Sequence, residues 1–72
     1  MSRLNEIIGA NIRWYRKKNK LTQCQLAKMI FSNNLSVHNW ESGAALPTAH
    51  FLKALADVFK CSIDDLFSDN PL

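Results

Sequence analysis

The chain has 72 residues, 47% of them hydrophobic, with only two glycines and two prolines. That length supports one domain with a modest core, and the composition excludes a disordered or fibrous chain. The net charge of +3 and pI of about 9.1 are mild, so they inform only through their distribution. Arg3, Arg13, Arg16, Lys17, Lys18 and Lys20 against Glu6 give residues 1–20 a charge of +5. Lys28 and Glu41 cancel in residues 21–43, and Asp57, Asp64, Asp65 and Asp69 outweigh Lys53 and Lys60 in residues 44–72. A basic first third points to a phosphate backbone, although cations also gather at a helix C-terminus without any ligand.

No apolar run approaches the roughly 18 residues of a membrane span, and Met1–Ala10 lacks a signal-peptide pattern. A soluble cytoplasmic protein is expected, with no membrane partner. Cys24 and Cys61 read as reduced, partly buried thiols. With His38 and His50 they lack zinc-ligand spacing, so neither a metal nor a cofactor is expected.

Five helical segments follow in chain order. The first runs from about Arg3 to Lys18, with Leu4, Ile8, Ile12 and Tyr15 on a core face. The second opens on Thr22 and Gln25, which match a capping box, and Leu21 with Leu26 form a hydrophobic staple. It runs to about Ile30, burying Leu26, Ala27 and Ile30. The third is capped by Asn33. Its Val37 and Trp40 face inward, while Asn34, Leu35, His38, Asn39 and Ser42 lie outward or on the flanks. Gly43 is the expected left-handed C-cap. The fourth starts at Thr48, after Pro47, and buries Leu52, Leu55, Ala56 and Phe59. The fifth is capped by Ser62, carries Asp64 and Asp65 in its first turn, and closes the core with Leu66 and Phe67. Residues 4–67 form the core of the single domain, and 68–72 read as a frayed tail.

Two short helices joined by a tight turn, the second with a polar outer face, form a helix-turn-helix geometry. The major groove admits one such helix. Asparagine suits it because one amide can pair twice with the edge of adenine, and leucine can pack on a thymine methyl. Asn34, Leu35, His38 and Asn39 supply this chemistry on one surface. The N-termini of the second and third helices, with caps Thr22 and Asn33 and with Gln23 in the first turn, suit backbone phosphates.

The segments "NIRWYRKKNKLTQCQLAKMI", "NWESG", "LPT" and "CSIDDLF" together resemble the lambda repressor/Cro-type helix-turn-helix family, also called the XRE family. The resemblance spans roughly Ile8–Phe67. It implies a compact five-helix, all-α DNA-binding domain and a sequence-specific transcriptional regulator of repressor type. It also implies a homodimer on a near-palindromic operator in double-stranded DNA, with half-sites about 10 bp apart. Residue by residue, Gln23 and Ser42 match phosphate-contacting positions. Asn34, Leu35 and Asn39 match base-reading positions, with His38 adjacent. Arg16 and Glu41 match an ion pair linking the first helix to the third.

Three departures stand out. Phe31 and Ser32 occupy the turn where the family usually has glycine and an aliphatic residue. Either Phe31 takes a left-handed conformation, at about 1 kcal/mol, or Asn33 or Asn34 makes the turn one step later. The loop "AALP" after Gly43 lacks the basic residues common in relatives. Trp14 and Phe51 stand where relatives tend to be polar. Ala44, Ala45, Leu46 and Phe51 could thus form an apolar patch for a protein partner, as in an antitoxin-type or antirepressor-type regulator, or for a second subunit, or remain scattered surface residues. Catalysis is not expected: Cys24 has no base nearby in sequence, and the adjacent Asp64 and Asp65 cannot face one another on a helix. A chain this short leaves no room for a ligand-sensing domain, so no small-molecule ligand is expected.

Overall fold

The computed structural model describes residues 3–69 and is all-helical over them, with extents of 26 × 23 × 21 Å. The order is α1 (Arg3–Lys18), α2 (Gln23–Met29), α3 (Asn34–Ser42), α4 (Ala49–Phe59) and α5 (Ile63–Leu66). α1 packs on three of the others, α3, α5 and α4, while α2 meets α3 and α4 meets α5.

The starts of these helices are local and follow from side-chain chemistry. The Gln25 amide donates to Thr22 Oγ1 at 3.0 Å, and the Thr22 amide donates to Gln25 Oε1 at 2.8 Å, which completes the expected capping box. A second box closes α5: the Asp65 amide donates to Ser62 Oγ and the Ser62 amide to Asp65 Oδ2. Each such pair satisfies two amides that the first helical turn leaves without partners. Thr48 starts α4 from extended backbone without a side-chain cap bond.

The core joins all five helices through Ile8, Ile12, Tyr15, Leu26, Ala27, Ile30, Val37, Trp40, Leu52, Leu55, Ala56, Phe59 and Leu66. Tyr15 stacks on Phe59 with ring centroids 5.4 Å apart. Three expectations need correction. Leu4 and Phe67 were expected in the core but are exposed: Leu4 lies in the first turn of α1 and Phe67 is the C-cap of α5, at the ends of their helices. Cys24, expected to be partly buried, is exposed: it is the second residue of α2, before the face that Leu26 and Ala27 turn inward. Cys61 is half-buried.

Trp14 is half-buried, edge-on to Tyr15, with the Lys18 ammonium 4.9 Å from its ring centre. The expected apolar patch divides. Ala45 and Phe51 pack on the core, Phe51 against Trp40 at 5.4 Å, and leave Ala44 and Leu46 exposed. The expected tail lies partly outside the described residues. Within them, buried Asn11 ties its start: Nδ2 donates to the carbonyls of Leu66 and Ser68, both at 2.7 Å.

Candidate nucleic-acid interface

The site depends on how firmly α3 is held. Its start is fixed by Asn33, whose Oδ1 accepts from the Ser36 amide at 2.8 Å. Its end is fixed by Gly43 at φ 82°, with the Ala44 amide returning to the Asn39 carbonyl at 2.9 Å. Between them Val37 and Trp40 are buried. Against this inner face lies Gly9 of α1. A β-carbon at Gly9 would overlap the Trp40 carbonyl oxygen and stand 2.9 Å from that of Glu41, so only glycine allows the two helices to cross this closely.

The expected Arg16–Glu41 pair is present and does more than link two helices. Arg16 Nε donates to Glu41 Oε2 at 2.6 Å and Nη2 to Oε1 at 3.0 Å, the two-pronged geometry that guanidinium favours. Nη1 donates to the Leu21 carbonyl at 2.8 Å, which fixes the approach to α2. Gln23 Nε2 completes the knot by donating to Glu41 Oε1 at 3.2 Å. One carboxylate therefore sets the relative positions of α1, α2 and α3. Its side chain is 6% exposed and that of Arg16 12%, so the pair is largely shielded from water.

Around this knot opens a cleft of about 250 Å³ lined by Arg13, Arg16, Gln23, His38, Glu41 and Ser42. It brings together residues expected to contact phosphate (Gln23, Ser42) and bases (His38). It also adds Arg13, which the sequence reading did not single out. The available signal was position: Arg13 lies one helical turn before Arg16, so anchoring Arg16 on α3 carries Arg13 to the same side. Arg13 is exposed and, unlike Arg16, is paired with no acidic side chain among the described residues.

Each phosphate candidate has a different donor to spare. Gln23 spends one amide hydrogen on Glu41 and keeps the other. Thr22 and Asn33 use their side-chain oxygens as caps, which leaves a hydroxyl proton on Thr22 and the amide NH2 on Asn33. Ser42 Oγ donates to the Asn39 carbonyl at 3.1 Å, so it must release that bond before donating to a phosphate.

On the outer face, Asn34, Leu35 and His38 are exposed and Asn39 is half-buried. Among the described residues none of these four side chains is taken up by a hydrogen bond or ion pair within the chain. The turn question also has an answer. Phe31 itself is left-handed, at φ 58°, and the Ser32 amide closes the end of α2 on the Ala27 carbonyl at 2.8 Å. Asn33 stays extended as the cap and Asn34 is helical, so the outward face is the one the sequence implies.

Two short helices, α2 and α3, joined by a tight turn at Phe31, with α3 packed on α1 and α2 and polar on its outer face, form a helix-turn-helix domain. The helix-turn-helix family model matches residues 12–66. The chain belongs to this family, of the lambda repressor (XRE) type. It is 44% identical over 62 residues to the HTH-type transcriptional regulator DicA of Escherichia coli, covering 86% of this chain and 46% of that protein. It is 36% identical over 61 residues to the repressor protein C2 of Salmonella phage P22, covering 85% of this chain and 28% of that one. The chain thus spans less than half the length of these curated relatives.

Among solved structures, the P22 c2 repressor in complex with synthetic operator 9T superposes with a TM-score of 0.82 at 35% identity, covering 88% of this chain and 96% of that one. The SOS-response transcriptional repressor LexA of Eubacterium rectale superposes with a TM-score of 0.91 at 31% identity, covering 99% and 76%. Among the described residues no helix is long and apolar enough to cross a membrane.

Proposed function

We propose that this chain is the DNA-binding unit of a cytoplasmic transcriptional regulator, a repressor by type, that reads the major groove of its operator with α3. It acts as one domain and binds as a homodimer to a near-palindromic site. The observation that carries this reading is the asymmetry of α3. Its inner face is fixed by Val37, Trp40 and the Arg16–Glu41–Gln23 knot, while the side chains of Asn34, Leu35, His38 and Asn39 are left uncommitted outside. A helix held this rigidly can present amides to base edges with little conformational entropy left to lose. That the similar P22 c2 repressor is solved in complex with a synthetic operator supports DNA as the partner here. Arg13, Gln23 and the caps Thr22 and Asn33 would hold phosphates on the flanks and set the register.

The test compares a duplex selected from a random-sequence pool with unselected duplex, across salt. Asn34→Ala and Asn39→Ala should each weaken the selected duplex by about 1–3 kcal/mol while leaving unselected binding nearly unchanged. Arg13→Ala should weaken both alike and flatten the salt slope by about one ion. Undiminished selectivity in both asparagine variants would overturn the base-reading assignment. Absence of DNA binding at low salt would instead favour a protein-interaction module on the same scaffold, for which exposed Ala44 and Leu46 and the uncharged loop after Gly43 are the features to examine.

A further inference from the structure

Seven large hydrophobic side chains are exposed among the described residues, and three of them, Met29, Phe31 and Leu35, fall within one seven-residue stretch around the α2–α3 turn. Phe31 is the extreme, with 94% of its surface open to water. It is also left-handed, at φ 58°, a backbone that glycine adopts without the β-carbon clash. The other non-glycine residues in this conformation are Lys20 and Lys60, whose charged ends belong in water. Only at Phe31 do backbone strain and an exposed apolar ring coincide. Two penalties at one position indicate a contact outside the chain.

The position of the ring selects the partner. Phe31 lies two residues before the cap Asn33 and three before the first helical residue, Asn34. It therefore stands at the end of α3 that enters the groove in the reading above, on which this inference rests. Leu35, 66% exposed, belongs both to this apolar stretch, four residues after Phe31, and to the candidate reading face. The major groove offers one apolar feature to such an edge, the 5-methyl group of thymine.

We propose that Phe31 is a specificity-determining DNA contact, which with Leu35 forms an apolar edge that packs on thymine methyl groups at the margin of each half-site. A glycine at the turn would leave that margin unread.

Thymine-to-deoxyuridine exchange tests this, because it removes the methyl and leaves base pairing intact. The 72-residue chain is first used to select duplexes from a random-sequence pool, and each thymine is then exchanged singly. Wild type should lose about three- to fivefold in affinity at a marginal thymine and at a second one facing Leu35, the scale of removing one methyl from an apolar contact. Phe31→Gly should lose sensitivity at the marginal thymine and keep it at the other. Its thermal midpoint should rise, since glycine relieves the strained backbone. A variant that gains stability and loses discrimination cannot owe the loss to misfolding.

The proposal is overturned if the consensus lacks a marginal thymine, or if Phe31→Gly binds with wild-type affinity and an unchanged uracil profile. The ring would then serve a protein partner. Asn39→Ala separates this failure from failure of the groove reading. Selectivity lost there while Phe31→Gly is silent removes only Phe31 from the interface, whereas silence in both removes α3.

Discussion

The two faces of α3 follow opposite rules. The inner face is over-determined: Gly9 sets how closely α1 approaches, Val37 and Trp40 fill the core, and Glu41 accepts from Arg16 and Gln23. The outer face is under-determined, with amides and an imidazole that nothing engages among the described residues and a strained aromatic at its entrance. A side chain can be offered to a ligand only if its backbone has nowhere else to go. The rigidity of the first face is thus the condition for the openness of the second, and substitutions on the two should fail in different ways. Inner ones should lower stability and affinity together, and outer ones affinity alone.

The largest effect should come from the ion pair. Arg16→Ala strands a shielded carboxylate and Glu41→Ala strands a guanidinium, and each should destabilise the domain by about 3–5 kcal/mol. Replacing both with apolar residues of similar length (Arg16→Met with Glu41→Leu) should cost much less than either single alanine, because no buried charge is left alone. A double-mutant cycle by chemical denaturation measures this. Additive single effects would mean that the pair is no more than a surface contact and that the inner face is weaker than its geometry indicates.

Gly9→Ala sharpens the comparison at intermediate scale. The added methyl carbon meets backbone carbonyls rather than flexible side chains, so α1 and α3 must separate. Overpacking of this kind costs about 1–3 kcal/mol, against the usual helical advantage of alanine over glycine. A loss of stability together with weaker operator binding, measured by thermal melts and DNA titration, would show that the tilt of α3 is transmitted to the reading face. A gain in stability would show that the crossing has slack.

Much of this was legible because it is local. The capping boxes at Thr22 and Ser62, the cap Asn33 and the left-handed Gly43 each depend on residues within one turn. Arg16–Glu41 was reachable only through the family pattern, since 25 residues separate the partners. Gly9 and Asn11 escaped because their roles exist only after assembly. In sequence, Gly9 is a weak point in a helix and Asn11 a polar break in an apolar stripe. In the fold, one sets a helix crossing and the other satisfies the carbonyls at the end of α5. Leu4 and Phe67 were placed in the core because periodicity reports which way a residue faces and cannot report where the neighbouring helix ends. Phe31 was left open between two geometries, because the local penalty of about 1 kcal/mol lies within the reach of tertiary packing.

The smallest effect concerns a corner that belongs to neither face and so serves as a control. Burial, followed by the neighbouring Cys61 and Asp65, pushes the Tyr15 phenol above its ordinary range. Burial and then the Asp65 carboxylate push the Cys61 thiol up, partly offset by the neighbouring Tyr15 hydroxyl. Both groups are neutral when protonated, so the folded chain holds these protons to higher pH than the unfolded chain. Their contribution to stability is complete below the ordinary thiol value of about 9 and is lost as pH rises through the folded values. The thermal midpoint should fall more steeply above about pH 9 for wild type than for Cys61→Ala, and operator affinity at neutral pH should be the same in both. Exposed Cys24 should be alkylated in the folded protein well before Cys61. Equal alkaline slopes in the two proteins would place Cys61 in water, whereas a change in operator affinity would mean that this corner is coupled to α3 through α1 and would weaken the separation of the two faces.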